Sequence, residues 1–292
     1  MKITILSPAS VRRVCLLLLL LATPGWAGED RGSIRFGVLS IAPPARIHAN
    51  WQAFVQYLST ELGRPVELVV PRGFGRMKQA VERGDVDFFY VNSYVFYRLK
   101  QAGAAVGVAQ MRNIDGTTTS RSTIFVRSDS GIDRVEQLQG KRVAFVAPMG
   151  AGGYLAPRAL LRGRGVTPGP DGGEVFTKNL SSSIHEVLLG EVDAGTMCGV
   201  NYELMSRKLD TGELKRIAVS DEYPENLIAA RSSLDPATVA RFAAVVTGMS
   251  GAEAGRAVLA GMRGMKIADF EPYDPAVEAI TEKLLRQGGF EQ

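Results

Sequence analysis

The 292-residue chain carries 34 basic and 30 acidic side chains, 46% hydrophobic residues and two cysteines. That composition excludes a disordered polymer and a disulfide-stapled miniprotein, and the length suits two lobes or one large α/β domain. Three of the basic residues (Lys2, Arg12 and Arg13) fall in the first 27, so the remainder has one net positive charge, without the basic stripe that nucleic acid requires.

Taken in chain order, residues 1–27 predict a cleaved secretory signal. Lys2, Arg12 and Arg13 form its basic start, 14–22 is an apolar run with leucines from Leu16 to Leu21, and Gly25-Trp26-Ala27 is a small-x-small cleavage site. The apolar run is too short to span a bilayer, which takes roughly 20 residues. Cys15 lies inside it, so Cys198 is the one cysteine of the mature chain. With only His48 and His185 beside it, the inventory is poor for a transition-metal site, and neither metal nor cofactor is expected.

The body alternates strands and helices. Residues 34–39 predict a strand, broken by Pro43 and Pro44. Trp51, Phe54, Val55, Leu58 and Leu62 share one face of a helix over 50–62. A strand follows at 66–70, a helix at 74–83, a strand at 86–91 and a helix at 94–101. Three strands separated by helices imply parallel pairing through crossovers. Residues 117–127 are β-rich, and 132–138 form a short helix. A second set then runs strand 142–146, helix 153–161, strand 174–176, helix 183–189 and strand 192–196. Within it Gly190-Glu191-Val192-Asp193 echoes Gly84-Asp85-Val86-Asp87. Strands at 216–220 and 226–231 and helices at 236–249, 251–261 and 275–287 complete the chain. No low-complexity linker separates the halves. Two mixed sheets flanked by helices and joined by crossing strands near 119–127 and 217–231 are therefore expected. Residues 28–122 with 222–292 form one lobe and 123–221 the other.

Several segments in this order resemble the phosphate, phosphite and phosphonate substrate-binding proteins of ABC importers, the PhnD-like branch of the type II periplasmic binding proteins. They are Phe36-Gly37-Val38-Leu39, Gly84-Asp85-Val86-Asp87 leading to Asn92-Ser93-Tyr94, Arg121-Ser122-Thr123-Ile124-Phe125-Val126-Arg127, and Leu138-Gln139-Gly140-Lys141-Arg142-Val143-Ala144-Phe145. The resemblance implies a monomeric periplasmic binding protein, not an enzyme. Its small oxyanion ligand would sit between the lobes, and its partner would be a membrane permease or a sensor kinase. The family usually has an Asp-Pro and a Ser-Thr-Ser-Gly run after the first strand of the second lobe. Here Ala147-Pro148-Met149-Gly150-Ala151-Gly152-Gly153 stands in that place, without the acid or the hydroxyls. Cys198 is expected to be buried and inert.

Candidate ligand contacts follow from position. Gly150, Ala151, Gly152 and Gly153 lie between a strand and a helix, where unpaired first-turn amides favour an anion. An aspartate at 152 is expected to abolish binding while the fold survives. Tyr90, Asn92, Ser93 and Tyr94 follow a strand's carboxyl end, where open α/β sheets bind ligands, and Ser93 is a candidate helix cap. Ser120 and Arg121 sit where the chain crosses between lobes, and an arginine there suits an oxyanion. Of Ser181, Ser182 and Ser183, one is expected to cap the next helix and another, Ser181, to reach the ligand. Asn201 and Tyr202 mirror Asn92 and Tyr94. An exported hydrolase is the rival from another class; the chain has no Gly-x-Ser-x-Gly elbow.

Overall fold

The structure is a computed structural model that describes residues 32–39, 44–170 and 173–290. The expected signal at 1–27 lies outside the described residues. Among those described, no helix is long and apolar enough to cross a membrane.

The first half builds a parallel core by local alternation. Strand β1 (Ile34–Val38) is followed by α1 (Pro44–Leu62), β2 (Val66–Val69), α2 (Phe74–Glu82), β3 (Phe88–Val91) and α3 (Ser93–Gln101). As expected from the crossovers, β1 pairs in parallel with both β2 and β3. The first helix begins at Pro44, six residues before the start expected at 50. Proline suits a helix's first position because its fixed φ is already helical and its missing N–H would be unpaired there anyway.

Strand β4 (Ala105–Asn113) follows, and the chain then crosses through β5 (Thr119–Ser120) into β6 (Ser122–Arg127). The second half adds β7 (Val143–Phe145), a π-helical turn (Ala151–Leu155) running into α4 (Ala156–Gly163), β8 (Glu174–Phe176), α5 (Leu180–Leu188), β9 (Ala194–Cys198), α6 (Gly199–Ser206) and β10 (Leu214–Val219). The return crossing is β11 (Tyr223–Pro224). It pairs antiparallel with β5, Tyr223 opposite Ser120. Then come β12 (Leu227–Arg231), α7 (Pro236–Thr247), α8 (Glu253–Met262), β13 (Ile267–Pro272) and α9 (Ala276–Gln287).

Two sheets result, ordered β13-β4-β12-β3-β1-β2 and β10-β6-β9-β7-β8. Read inward from β2 and from β8, they have the same wiring. In each, two parallel neighbours flank the first strand, and the next two strands run antiparallel. The repeated Gly-x-Val-Asp signal has a physical counterpart. Asp87 accepts a hydrogen bond from the Arg35 amide (2.9 Å), and Asp193 accepts one from the Arg142 amide (2.9 Å). The backbone N–H groups of the same two aspartates donate back to the Arg35 and Arg142 carbonyls. Each aspartate thus ties the entry of one parallel strand to its neighbour.

Each sheet is packed on both faces. In the first, Phe36, Trp51, Phe54, Phe88 and Phe242 fill one face, and Met77, Val81, Phe89 and Phe96 the other. In the second, Val126, Phe145, Tyr154 and Leu161 fill one face, and Phe125, Ile184, Met197 and Tyr202 the other. A further apolar cluster joins Tyr94 and Tyr97 of α3 to Leu155, Ala159, Tyr223, Leu284 and Leu285, so the two halves share one packed seam.

Candidate functional site

A cleft of about 580 Å³ opens between the two sheets, within the range of small-molecule sites. Its walls come from the carboxyl ends of parallel strands on both sides, where loops leave strands and helices begin. Gly73, Phe74, Tyr90 and Asn92 line it from the first sheet; Val146 to Pro148, Gly150 to Gly153, Lys178 to Leu180, Cys198, Val200 and Asn201 line it from the second.

The Gly150–Gly153 bend forms part of this wall. Gly150 O accepts from both Tyr154 N (3.1 Å) and Leu155 N (3.0 Å), which widens the first turn to a π-helix. Ser122 Oγ donates to Gly152 O (2.6 Å) and Thr196 Oγ1 to Gly153 O (3.2 Å), fixing the helix start to β6 and β9. The amides of this first turn have no partner within the helix. The glycines, however, serve the protein's own packing. A Cβ at Gly152 would lie 2.1 Å from the Tyr223 hydroxyl, and one at Gly153 would lie 2.9 Å from Val146 Cβ. An aspartate at 152 would therefore disturb the packing itself, which corrects the expectation that the fold would be indifferent to it.

The other candidates divide. Tyr90 lines the cleft; its buried hydroxyl donates to Met111 Sδ (2.9 Å) and accepts from Asn226 Nδ2 (3.1 Å). Burial drives its ionisation far above the usual phenol range. Asn92 caps α3 by accepting from Val95 N (2.9 Å), and its Nδ2 donates across the cleft to Met149 O (3.1 Å). It is the cap that had been expected of Ser93. Asn201 lines the second wall.

Six candidates stand away from the lining. Ser93 Oγ donates to Pro224 O (2.9 Å), and Tyr94 packs against Phe290. Ser120 Oγ lies 3.2 Å from Cys198 Sγ. Arg121 is exposed and pairs with Glu222 (3.0 Å). Ser181 is exposed, its Oγ 3.8 Å from Met205 Sδ, and Asn179, not one of the three serines, caps α5 through Ser182 N (2.8 Å). Tyr202 is buried against Phe125 beneath the Arg216 guanidinium. Cys198 is half-buried and faces the cleft, which corrects the expectation of a buried thiol. His48 and His185 are exposed on helices outside the lining.

Three polar residues join the wall beside Tyr223, unannounced by any motif: Asn113, Glu225 and Asn226. Asn113 is 4% exposed, and its Nδ2 donates to Thr119 O (3.1 Å) and Thr117 Oγ1 (3.3 Å). Its Oδ1 accepts no hydrogen bond among the described residues. A buried unmet acceptor costs about 1–3 kcal/mol, a penalty that this atom carries beside the cleft. Glu225 is half-buried in the cleft lining. Burial raises its carboxyl above the usual glutamate range, against hydrogen bonds from the Asn226 amide and the Ser120 and Asn113 side chains. Tyr223 is raised further, by burial and by Cys198 and Glu225. Charged lining is completed by Lys178 and Lys266. The wall as a whole combines apolar surface with amides, two lysines and an acid whose ionisation burial opposes, a lining suited to a small anion.

A family model described as ABC transporter, phosphonate, periplasmic substrate-binding protein matches residues 36–277. The tetrathionate sensor histidine kinase TtrS of Salmonella typhimurium is 30% identical over 168 residues, 56% of this chain and 28% of that one. The phosphate-import protein PhnD of Mycolicibacterium smegmatis is 26% identical over 208 residues, 66% of this chain and 64% of that one. The chain thus spans less than two thirds of either curated relative. A Xanthomonas citri protein whose structure holds a chloride ion superposes with a TM-score of 0.78 at 19% identity, over 88% of this chain and 97% of that one. That likeness extends the two-lobed periplasmic-binding-protein fold across nearly all the described residues.

Proposed function

The chain belongs to the phosphonate-binding family of ABC-transporter periplasmic substrate-binding proteins, and from that premise we propose that it binds a small phosphorus oxyanion, a phosphonate or phosphite-like compound, in its interlobe cleft. The protein acts in the periplasm as a monomer, presents the closed form to a membrane permease, and catalyses no reaction. The lobes in this reading are residues 28–122 with 222–292, and 123–221.

The observation that carries the reading is the cleft itself. One 580 Å³ space is lined by the Gly150–Gly153 bend from the second sheet and by Tyr90, Asn92 and Asn113 from the first. Contacts from both sides are what a ligand needs to favour closure, since only differential affinity for the closed form shifts the population. The Ser-Thr-Ser run of the family is absent, and no hydroxyl replaces it in the 147–153 segment. Peptide amides and the Asn113 side chain take over that recognition in this proposal.

A thermal-shift screen of phosphate, phosphite, methylphosphonate, methanesulfonate and acetate tests it. A phosphorus oxyanion at one hundred times its Kd should stabilise the fold by about 2.7 kcal/mol. A melting temperature unmoved by all three phosphorus oxyanions would refute the reading. A sensor role, with a membrane histidine kinase as partner, has one observation in its favour, the 30% identity to the tetrathionate sensor. Tetrathionate belongs in the same screen, and stabilisation by tetrathionate alone would decide for the sensor.

A further inference from the structure

Among the described residues, twelve have a left-handed backbone, and ten of them are glycine. The two exceptions are Lys178 (φ 66°) and Lys266 (φ 67°). Side chains other than Asn and Asp seldom adopt this conformation, and glycine fits it without strain. Both lysines line the interlobe cleft. They reach it from opposite sides. Lys178 sits between β8 and α5 of the second sheet, where its N–H donates to Val146 O (3.0 Å), and Lys266 stands immediately before β13 of the first. Neither side chain makes an ion pair or hydrogen bond among the described residues, as is also true of Lys208 and Lys283, which lie outside the cleft lining; Lys78, Lys100, Lys141 and Lys215 each hold a carboxylate. Among the described residues Glu225 is the only other charged one of the lining. Strained backbone persists where function over-determines it.

We infer that Lys178 and Lys266 form a two-sided clasp, one ammonium from each lip, that selects a dianion over a monoanion and draws the lobes together over it. The inference rests on the oxyanion reading above and adds the residues that sense ligand charge. In an open form each ammonium stays hydrated. On closure both face the same ligand, and the second charge of the ligand gives the second lysine something to neutralise. Complementary charge across two surfaces supplies specificity of this kind. The two lysines therefore act as a unit, since losing one leaves the other without a closed lobe to meet.

Glycine substitution separates this from a structural role, because glycine relieves the left-handed backbone while deleting the ammonium. Wild type, K178G, K266G and K178G/K266G are titrated calorimetrically with methylphosphonate and with methanesulfonate, at a pH where the first carries two charges and the second one. Lobe closure is followed by small-angle scattering. Wild type is expected to prefer methylphosphonate at least tenfold. Each single variant loses about tenfold for it, and the double variant little more than either single one. Melting temperatures without ligand stay equal or rise, and K178R restores affinity. If K178G/K266G binds methylphosphonate as wild type does, the clasp is overturned and the oxyanion reading stands. If wild type binds none of methylphosphonate, phosphite and phosphate, the oxyanion reading falls and takes the clasp with it.

Discussion

Asp87 and Asp193 stand at the same point of two sheets with the same wiring, each accepting a backbone N–H from the strand beside it. Their side-chain partners differ. Asp87 is 7% exposed and grips the guanidinium groups of Arg35 and Arg231, both at 3.1 Å. Burial alone would raise its carboxyl, but the Arg35 amide and the two arginines hold it below the usual aspartate range. Asp193 is more exposed and has only Lys141 at 3.6 Å. The same divergence recurs at the cleft. Asn92 and Cys198 occupy equivalent positions before the helix that follows the third parallel strand, yet Asn92 caps its helix and Cys198 makes no cap bond. Two lobes of one design thus separate their labours: the first holds its scaffold with buried polar ties, while the second leaves its strand ends freer to face the cleft.

The sharpest way to break this comparison is to remove both aspartates in turn. Asp87→Ala leaves two arginines partly buried without their shared carboxylate and is expected to cost about 3–5 kcal/mol in urea unfolding. Asp193→Ala is expected to cost about 1 kcal/mol. Equal losses would mean the lobes are held alike. Next in size is the glycine bend. Gly152→Ala forces a methyl against the Tyr223 hydroxyl and should cost about 2 kcal/mol. Gly150→Ala meets nothing nearer than Ala147 O at 3.3 Å and should cost well under half of that.

Glu225→Gln probes the first lobe's wall. A carboxyl raised in the folded state keeps a proton that the unfolded chain releases, so its contribution to stability declines as pH climbs above the ordinary glutamate range. The glutamine variant should lack that decline in pH-dependent unfolding. The smallest effect separates the paired caps. Asn92→Ala is expected to lose about 1 kcal/mol, and Cys198→Ala to stay within experimental error, by thermal unfolding.

The parallel cores were legible because apolar runs bounded by glycines carry them, as at 66–69 and 143–145. β4 escaped notice: Gly107 interrupts its apolar run and makes room for the Tyr273 ring, which a Cβ there would meet at 2.5 Å. β13 escaped too, since it is an edge strand ending in Pro272, and proline is tolerated only at such edges. The cap assignments moved from serines to the neighbouring Asn92 and Asn179 because all these side chains cap about equally well, and the backbone register decides among them. In the cleft, strand ends could be named from the sequence, which is how Tyr90, Asn92, Asn201 and the 150–153 bend came to mind. Asn113 ends β4, the strand whose apolar run is interrupted, while Lys178, Glu225 and Lys266 lie on crossings and short loops without periodicity; the return of β12 and β13 to the first sheet brings Asn113, Glu225 and Lys266 to the space that Lys178 enters from the second.

Helix α9 lies against α3 of one half and α4 of the other, and Arg158 Nε reaches past its end to Gly288 O (2.8 Å). The segment works like a bookbinding, fastened to both covers along the spine. A dye or surface tether fixed there would report and restrain how far the covers swing apart. One placed on α8, which packs only on first-sheet elements, would leave the swing untouched.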